Sequence, residues 1–178
     1  MHNKVVYHAA RVFRSLGWPT LRFNFRGVGL SEGTHHGQAE SDDLEAAFTW
    51  MDHHTSLPLL AAGFSFGAAI TLAVAPAHPS VFACLALGLP LHSPNQQYTY
   101  PQLAHWSLPM LLVSGSQDAF ATPDELAAAT QPAHPAARLQ IIPDADHFFT
   151  GYLPQMQAAI LGWLTELPIV PTETPTAP

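Results

Sequence analysis

The chain has 178 residues, 48% of them apolar and only 11% charged, and its 6 Lys+Arg against 13 Asp+Glu give a formal charge of −7. That length suits one domain with a buried core, and so few cations cannot assemble a basic patch, which argues against nucleic acid as a partner. The single cysteine, Cys84, rules out an internal disulfide and a cysteine-based zinc ribbon; in the apolar run VFACLALG it reads as a small buried hydrophobe.

In chain order, MHNKVVYHAARVFR lacks the apolar run and small-residue cleavage site of a secretory signal. Within it, Val5, Val6, Ala9, Val12, Phe13 and Leu16 stand at helical spacing, and the spacing predicts a helix over 3–16 ended by Gly17. TLRFNF (20–25) alternates and is β-prone, predicting a strand that runs into the Gly-rich loop RGVGLSEG. ESDDLEAAFTWM (40–51) predicts a helix capped by Ser41 with acids in its first turn. LPLLAAGF (57–64) reads as a buried strand, FGAAITLAVAPA (66–77) as a small-residue helix and VFACLALGL (81–89) as another buried strand. LPMLLVSGS (108–116) is a further strand, and Thr122-Pro123-Asp124-Glu125 a capping box with proline at the first helical position. RLQIIP (138–143) is a short fifth strand, and YLPQMQAAILGWLTEL (152–167) a closing helix. The Pro-rich segment 168–178 has too little apolar content to pack and is expected to be a disordered tail.

No Asp, Glu, Lys or Arg occurs from 53 to 117, and the apolar run 59–75 approaches the lower length limit of a membrane span. Gly63, Ser65, Gly67 and Thr71 interrupt that run, however, and strands covered on both faces read just as apolar. The expectation is a cytoplasmic α/β domain over 1–167. Its mostly parallel sheet has about five strands, with helices on both faces and no membrane span.

Gly63-Phe64-Ser65-Phe66-Gly67 matches G-x-S-x-G, a pattern that chance yields about 0.04 times in a chain of this composition. It falls between a predicted strand and a predicted helix, where a tight reversal holds a serine at the sheet's carboxyl edge. Ser65 would then be a nucleophile, and the Phe66 N–H at the helix start an oxyanion donor. A serine needs a base, and the base needs an orienting acid. Of eleven histidines, His147 follows the last strand and so reaches the same edge. Asp118 follows the strand LPMLLVSGS, and is preferred to Asp144 and Asp146, which lie too near His147 in sequence to hold its ring. The order Ser65, Asp118, His147 is that of the α/β hydrolases. Gly27, Gly29 and Gly33 have the wrong spacing for a dinucleotide loop. His35-His36 and His53-His54 lack the i, i+4 spacing of a metal site. Neither a cofactor nor a metal is therefore expected.

His2-Asn3-Lys4-Val5-Val6, LRFNFRGVGLSEG (21–33), GFSFGA (63–68) and ADHFF (145–149) together resemble the small dienelactone-hydrolase-like bacterial members of the α/β-hydrolase superfamily. The resemblance implies Ser65 as nucleophile, Asp118 as acid and His147 as base. It also implies N-terminal strands and a Gly-Gly loop with a second oxyanion donor, ahead of the segment like HNKVV. In the family one of those strands lies between the equivalents of TLRFNF and LPLLAAGF. Nothing here corresponds to it, and the expectation is a shortened reading of a longer gene product.

The function expected is a serine hydrolase acting on a small acyl ester or related carbonyl compound. Residues 89–106 would wall its site, with Tyr98, Tyr100 and Trp106 either lining a pocket or packing beneath the loop. The alternatives are a hydrolase-fold protein that binds without catalysis, and an acyltransferase using the same residues.

Overall fold

A computed structural model describes residues 3–167 except 38, 95 and 135; the expected tail lies outside the described residues. Helix α1 (Lys4–Ser15) starts where the Asn3 side chain accepts the Val6 N–H at 3.1 Å, and ends as Gly17 turns left-handed at φ 79°. Helix α2 spans Glu40–His54, β1 Leu59–Phe64, α3 Phe66–Val74 and β2 Val81–Leu87. A two-stranded hairpin follows, β3 (His92–Ser93) with β4 (Gln96–Gln97), and then β5 (Met110–Gly115), α4 (Pro123–Thr130), β6 (Ala137–Ile142) and α5 (Leu153–Glu166). The predicted capping box opens α4, Thr122 and Glu125 exchanging side-chain to backbone hydrogen bonds.

The main sheet runs β1-β2-β5-β6, and every pair in it is parallel. Its apolar residues alternate between two layers, as strand periodicity requires. Cys84 and Ala86 of β2 face the α2, α3 and α4 side with Leu44, Phe48, Leu72 and Leu126. Ala83, Leu85 and Leu87 face α1 and α5 with Val5, Ala9, Met156 and Ile160. Burial on both faces explains why these strands read as continuous apolar runs.

Two expectations are corrected. The sheet has four strands and not five: residues 20–25 form neither strand nor helix, because a β-prone segment is a strand only when a ladder partner completes its hydrogen bonds. Between this segment and β1 lies an open slot, one section of about 160 Å³ and another of about 370 Å³, lined on one side by Leu21 and Phe23 and on the other by Leu60–Phe64. Ser41, for its part, is not a cap. Helix α2 begins at Glu40 with Ala39 in the cap position and no side-chain cap, and Glu40 reaches back to accept the His36 and Gly37 N–H groups at 2.8 and 3.0 Å.

No helix among the described residues is long and apolar enough to cross a membrane.

Candidate active site

Because all four strands of the main sheet run the same way, their carboxyl ends share one edge. Ser65 follows β1, Gly88 follows β2, Asp118 lies just past β5 and His147 past β6. The ladder continues beyond the strands at this edge, with Ser65 N–H to Leu87 O at 2.9 Å, Gly88 N–H to Val113 O at 2.8 Å and Ser116 N–H to Ile142 O at 2.9 Å. The loops that carry the polar side chains are thereby fixed to the sheet.

Ser65 has φ 54° and ψ −121°, a conformation that costs a non-glycine residue roughly 1–3 kcal/mol and persists only where the surroundings enforce it. Gly63 permits the turn: a Cβ there would lie 2.2 Å from the Gly67 carbonyl oxygen. Phe66 is the first residue of α3, so its N–H has no intrahelical acceptor and faces the same edge as the serine.

A line of hydrogen bonds leaves the serine. Ser65 Oγ is 2.9 Å from His147 Nε2, and His147 Nδ1 is 2.8 Å from Asp118 Oδ2. Asp118 also accepts the Phe120 N–H at 2.8 Å and the Ser114 hydroxyl at 3.2 Å, which hold its carboxylate in one orientation. The Asp118 side chain is fully buried and that of His147 is 6% exposed, so each relies on these partners and not on water. A carboxylate can only accept, so the proton of the neutral imidazole sits on Nδ1, leaving Nε2 as an acceptor for the serine O–H. This arrangement is chemically capable of removing that proton.

The other two aspartates have separate work. Asp146 Oδ1 accepts the Phe148 and Thr150 N–H groups at 3.0 and 2.8 Å, and the Thr150 bond foremost holds its carboxyl below the usual range. Asp144 is at φ 60°, its N–H bonded to Ser116 Oγ.

Rings of Phe64, Phe120 and Phe148 surround the imidazole, with centroids 4.9, 4.4 and 5.2 Å from it. None of the three rings was expected at the site from the sequence, although each lies within two residues of Ser65, Asp118 or His147. Tyr100 and Trp106 pack instead. The Tyr100 hydroxyl donates to Pro90 O, Trp106 Nε1–H donates to Leu108 O, and both rings join the α2–α4 layer.

The description of the α/β hydrolase domain matches residues 1–155. The chain belongs to the α/β-hydrolase family. A Rickettsia prowazekii protein of unassigned role is 32% identical to it over 172 residues, covering 92% of this chain and 72% of its own. Among solved structures, an α/β serine hydrolase homologue from Coxiella burnetii superposes with a TM-score of 0.78 at 32% identity, over 91% of this chain and 76% of the other. A lidless serine hydrolase from Xanthomonas campestris gives 0.80 at 32% identity, over 96% and 77%. This α/β-hydrolase chain is therefore similar to serine hydrolases along nearly its whole length, and the similarity indicates hydrolase activity.

Proposed function

We propose that the chain hydrolyses acyl esters or related small carbonyl substrates through an acyl-enzyme on Ser65. The observation that carries this reading is the continuous hydrogen-bonded line from Ser65 Oγ through His147 to Asp118. Ser65 Oγ attacks the carbonyl carbon as its proton passes to His147 Nε2. Asp118 holds the ring and stabilises the imidazolium that forms. The Phe66 N–H donates to the tetrahedral oxyanion, a contribution on the order of 2.7–4 kcal/mol for one such donor. The imidazolium then protonates the leaving alkoxide, and the alcohol departs. Water repeats the sequence on the acyl-enzyme, releasing a carboxylic acid and restoring the serine. An alcohol or amine in place of that water would give acyl transfer by the same residues. No cofactor enters either route. The phenylalanine rings around His147 favour an apolar group on the substrate.

The test is labelling with a fluorophosphonate probe, mapping the adduct by mass spectrometry. The expected adduct is on Ser65 and is lost in Ser65→Ala. Asp118→Asn, which leaves the wrong imidazole tautomer facing the serine, slows labelling about 10³- to 10⁴-fold. Asp146→Asn, which alters only the turn after β6, slows it less than about tenfold. A folded chain that takes no label supports binding without turnover. Equal losses in the two aspartate variants would remove Asp118 from its role.

A further inference from the structure

The turn after β6 holds one aromatic ring in the open. Gly115 lets that turn lie against the end of β5: a Cβ there would sit 2.1 Å from Ala145 O, which also accepts the Gln117 N–H at 2.9 Å. Asp146 Oδ1 then accepts the Phe148 and Thr150 N–H groups, and Asp146 O accepts the Phe149 N–H at 3.0 Å. Phe149 is anchored in the core with no measurable exposure, yet it is left-handed at φ 53°. A bulky residue keeps that conformation only where its surroundings enforce it. With the backbone on both sides fixed in this way, the Phe148 side chain faces outward and is 56% exposed.

Of the three rings around the imidazole, Phe148 is the open one, since Phe64 and Phe120 are half-buried. The planes of Phe148 and His147 cross at 84°. They share only an edge-to-face contact, which leaves most of the Phe148 ring for another partner, with the Phe64 ring 5.7 Å away. The chemistry then gives this ring a direction. On the acyl-enzyme reading above, on which this inference rests, the bond that breaks joins the carbonyl carbon to the alcohol oxygen, and that oxygen takes the proton from His147 Nε2. It must come within hydrogen-bond reach of Nε2, about 2.6–3.2 Å, so the group it carries starts beside the imidazole. The acyl group stays on the carbon bonded to Ser65 Oγ and has no need to touch His147.

We propose that Phe148 is the specificity-determining residue for the alcohol half of the substrate, and that this half carries a flat apolar group about the size of one aromatic ring, as in an aryl or benzyl ester. Edge-to-face or offset contact with Phe148 and Phe64 holds that group while the leaving oxygen is protonated. Because the turn is already fixed, the contact requires little further ordering.

The experiment measures kcat/KM of the full chain and of Phe148→Ala on two pairs of esters. Benzyl acetate and ethyl acetate differ only in the alcohol, and ethyl acetate and ethyl butyrate only in the acyl group. Both acetates give the same acyl-enzyme, so the first pair isolates the step in which the alcohol leaves. In the variant the preference for benzyl over ethyl falls about tenfold, whereas the preference between the two acyl groups changes less than about twofold. Equal losses on benzyl and ethyl acetate overturn the proposal, because they mean that Phe148 only positions the imidazole. A shift in acyl preference instead overturns it by placing Phe148 on the other half of the ester, and unaltered preferences overturn it outright. A second readout needs no turnover. In Ser65→Ala with benzyl alcohol at about 10 mM, a concentration that reveals even weak binding, nuclear Overhauser contacts between the ligand ring and the Phe148 ring are expected, and their absence overturns the proposal. Where neither acetate is turned over, this contact alone decides. Its presence in a chain that takes no fluorophosphonate label would support the subsite while the hydrolytic reading falls, so the two failures are separable.

Discussion

Gly88 follows β2 at φ 53°, and the space above its Cα is filled by the imidazole of His147. A Cβ there would lie 3.0 Å from His147 Cε1, 3.1 Å from Nδ1 and 3.2 Å from the Phe64 ring. Gly88→Ala therefore displaces the ring that contacts Ser65, and forces alanine into a left-handed conformation costing roughly 1–2 kcal/mol. The expected result is a fall of about 100-fold in fluorophosphonate labelling of Ser65, since small misplacements cost that much. Thermal unfolding should show only the modest strain. Labelling at the unaltered rate would mean that the imidazole position does not depend on this glycine. That Ser65, Asp118 and His147 meet was legible in the sequence because each lies within five residues of the end of a strand in a parallel sheet, and topology alone brings such ends to one edge. Gly88, Ser114 and Phe120 were not legible as parts of the site. Their contribution depends on which atoms meet across strands distant in the chain, and no spacing rule encodes that.

Among the elements, the loop at 26–37 is tied to the first turn of α2 by two carboxylates. Asp43 accepts Arg26 N–H at 2.8 Å and its guanidinium at 2.9 and 2.6 Å, and the Arg26 hydrogen bond foremost lowers its pKa. Glu40, fully buried, receives His36 N–H, Gly37 N–H and the His35 ring nitrogen. Burial opposes its charge, yet the His36, Gly37 and Glu40 N–H groups outweigh burial and hold its pKa at about 2. The loop in turn rests on the elbow, with Phe25 and His35 against the Phe66 ring at 5.6 and 4.9 Å. A depressed folded pKa means that the unfolded chain takes up the proton first as pH falls. The stability that Glu40 contributes is then fully present above its ordinary value of 4.5 and lost toward about 2. Comparing urea denaturation of the native chain with Glu40→Gln should show a stability gap that is constant above about pH 5.5 and shrinks below pH 4.5. A gap independent of pH would mean that the carboxylate charge is not what holds the loop. Helix ends with local signals, such as Gly17 and the Thr122–Glu125 box, were readable from sequence. The Glu40 contact was hidden because a long side chain reached back across the loop and displaced Ser41 as the expected cap. Residues 20–25 misled for a different reason: alternation marks a segment able to pair, while pairing also requires a neighbour on the far side of the slot.

Across the whole molecule, two apolar layers sandwich one sheet, and Cys84 marks its middle. It lies on β2, between β1 and β5, with no measurable exposure. Burial pushes its thiol pKa up to about 12, so in the folded state both access and thiolate formation are suppressed. No local movement of a surface loop exposes it; the two strand pairs and a covering layer must part. As the chain's one cysteine, it is a single-site reporter of how cooperatively the domain opens. Alkylation at pH 8 should be undetectably slow without denaturant. In urea it should appear with the same midpoint as the fluorescence of the four tryptophans, as one all-or-none transition requires. A thiol that reacts at clearly lower urea than the tryptophan transition would show the sheet opening around β2 before global unfolding.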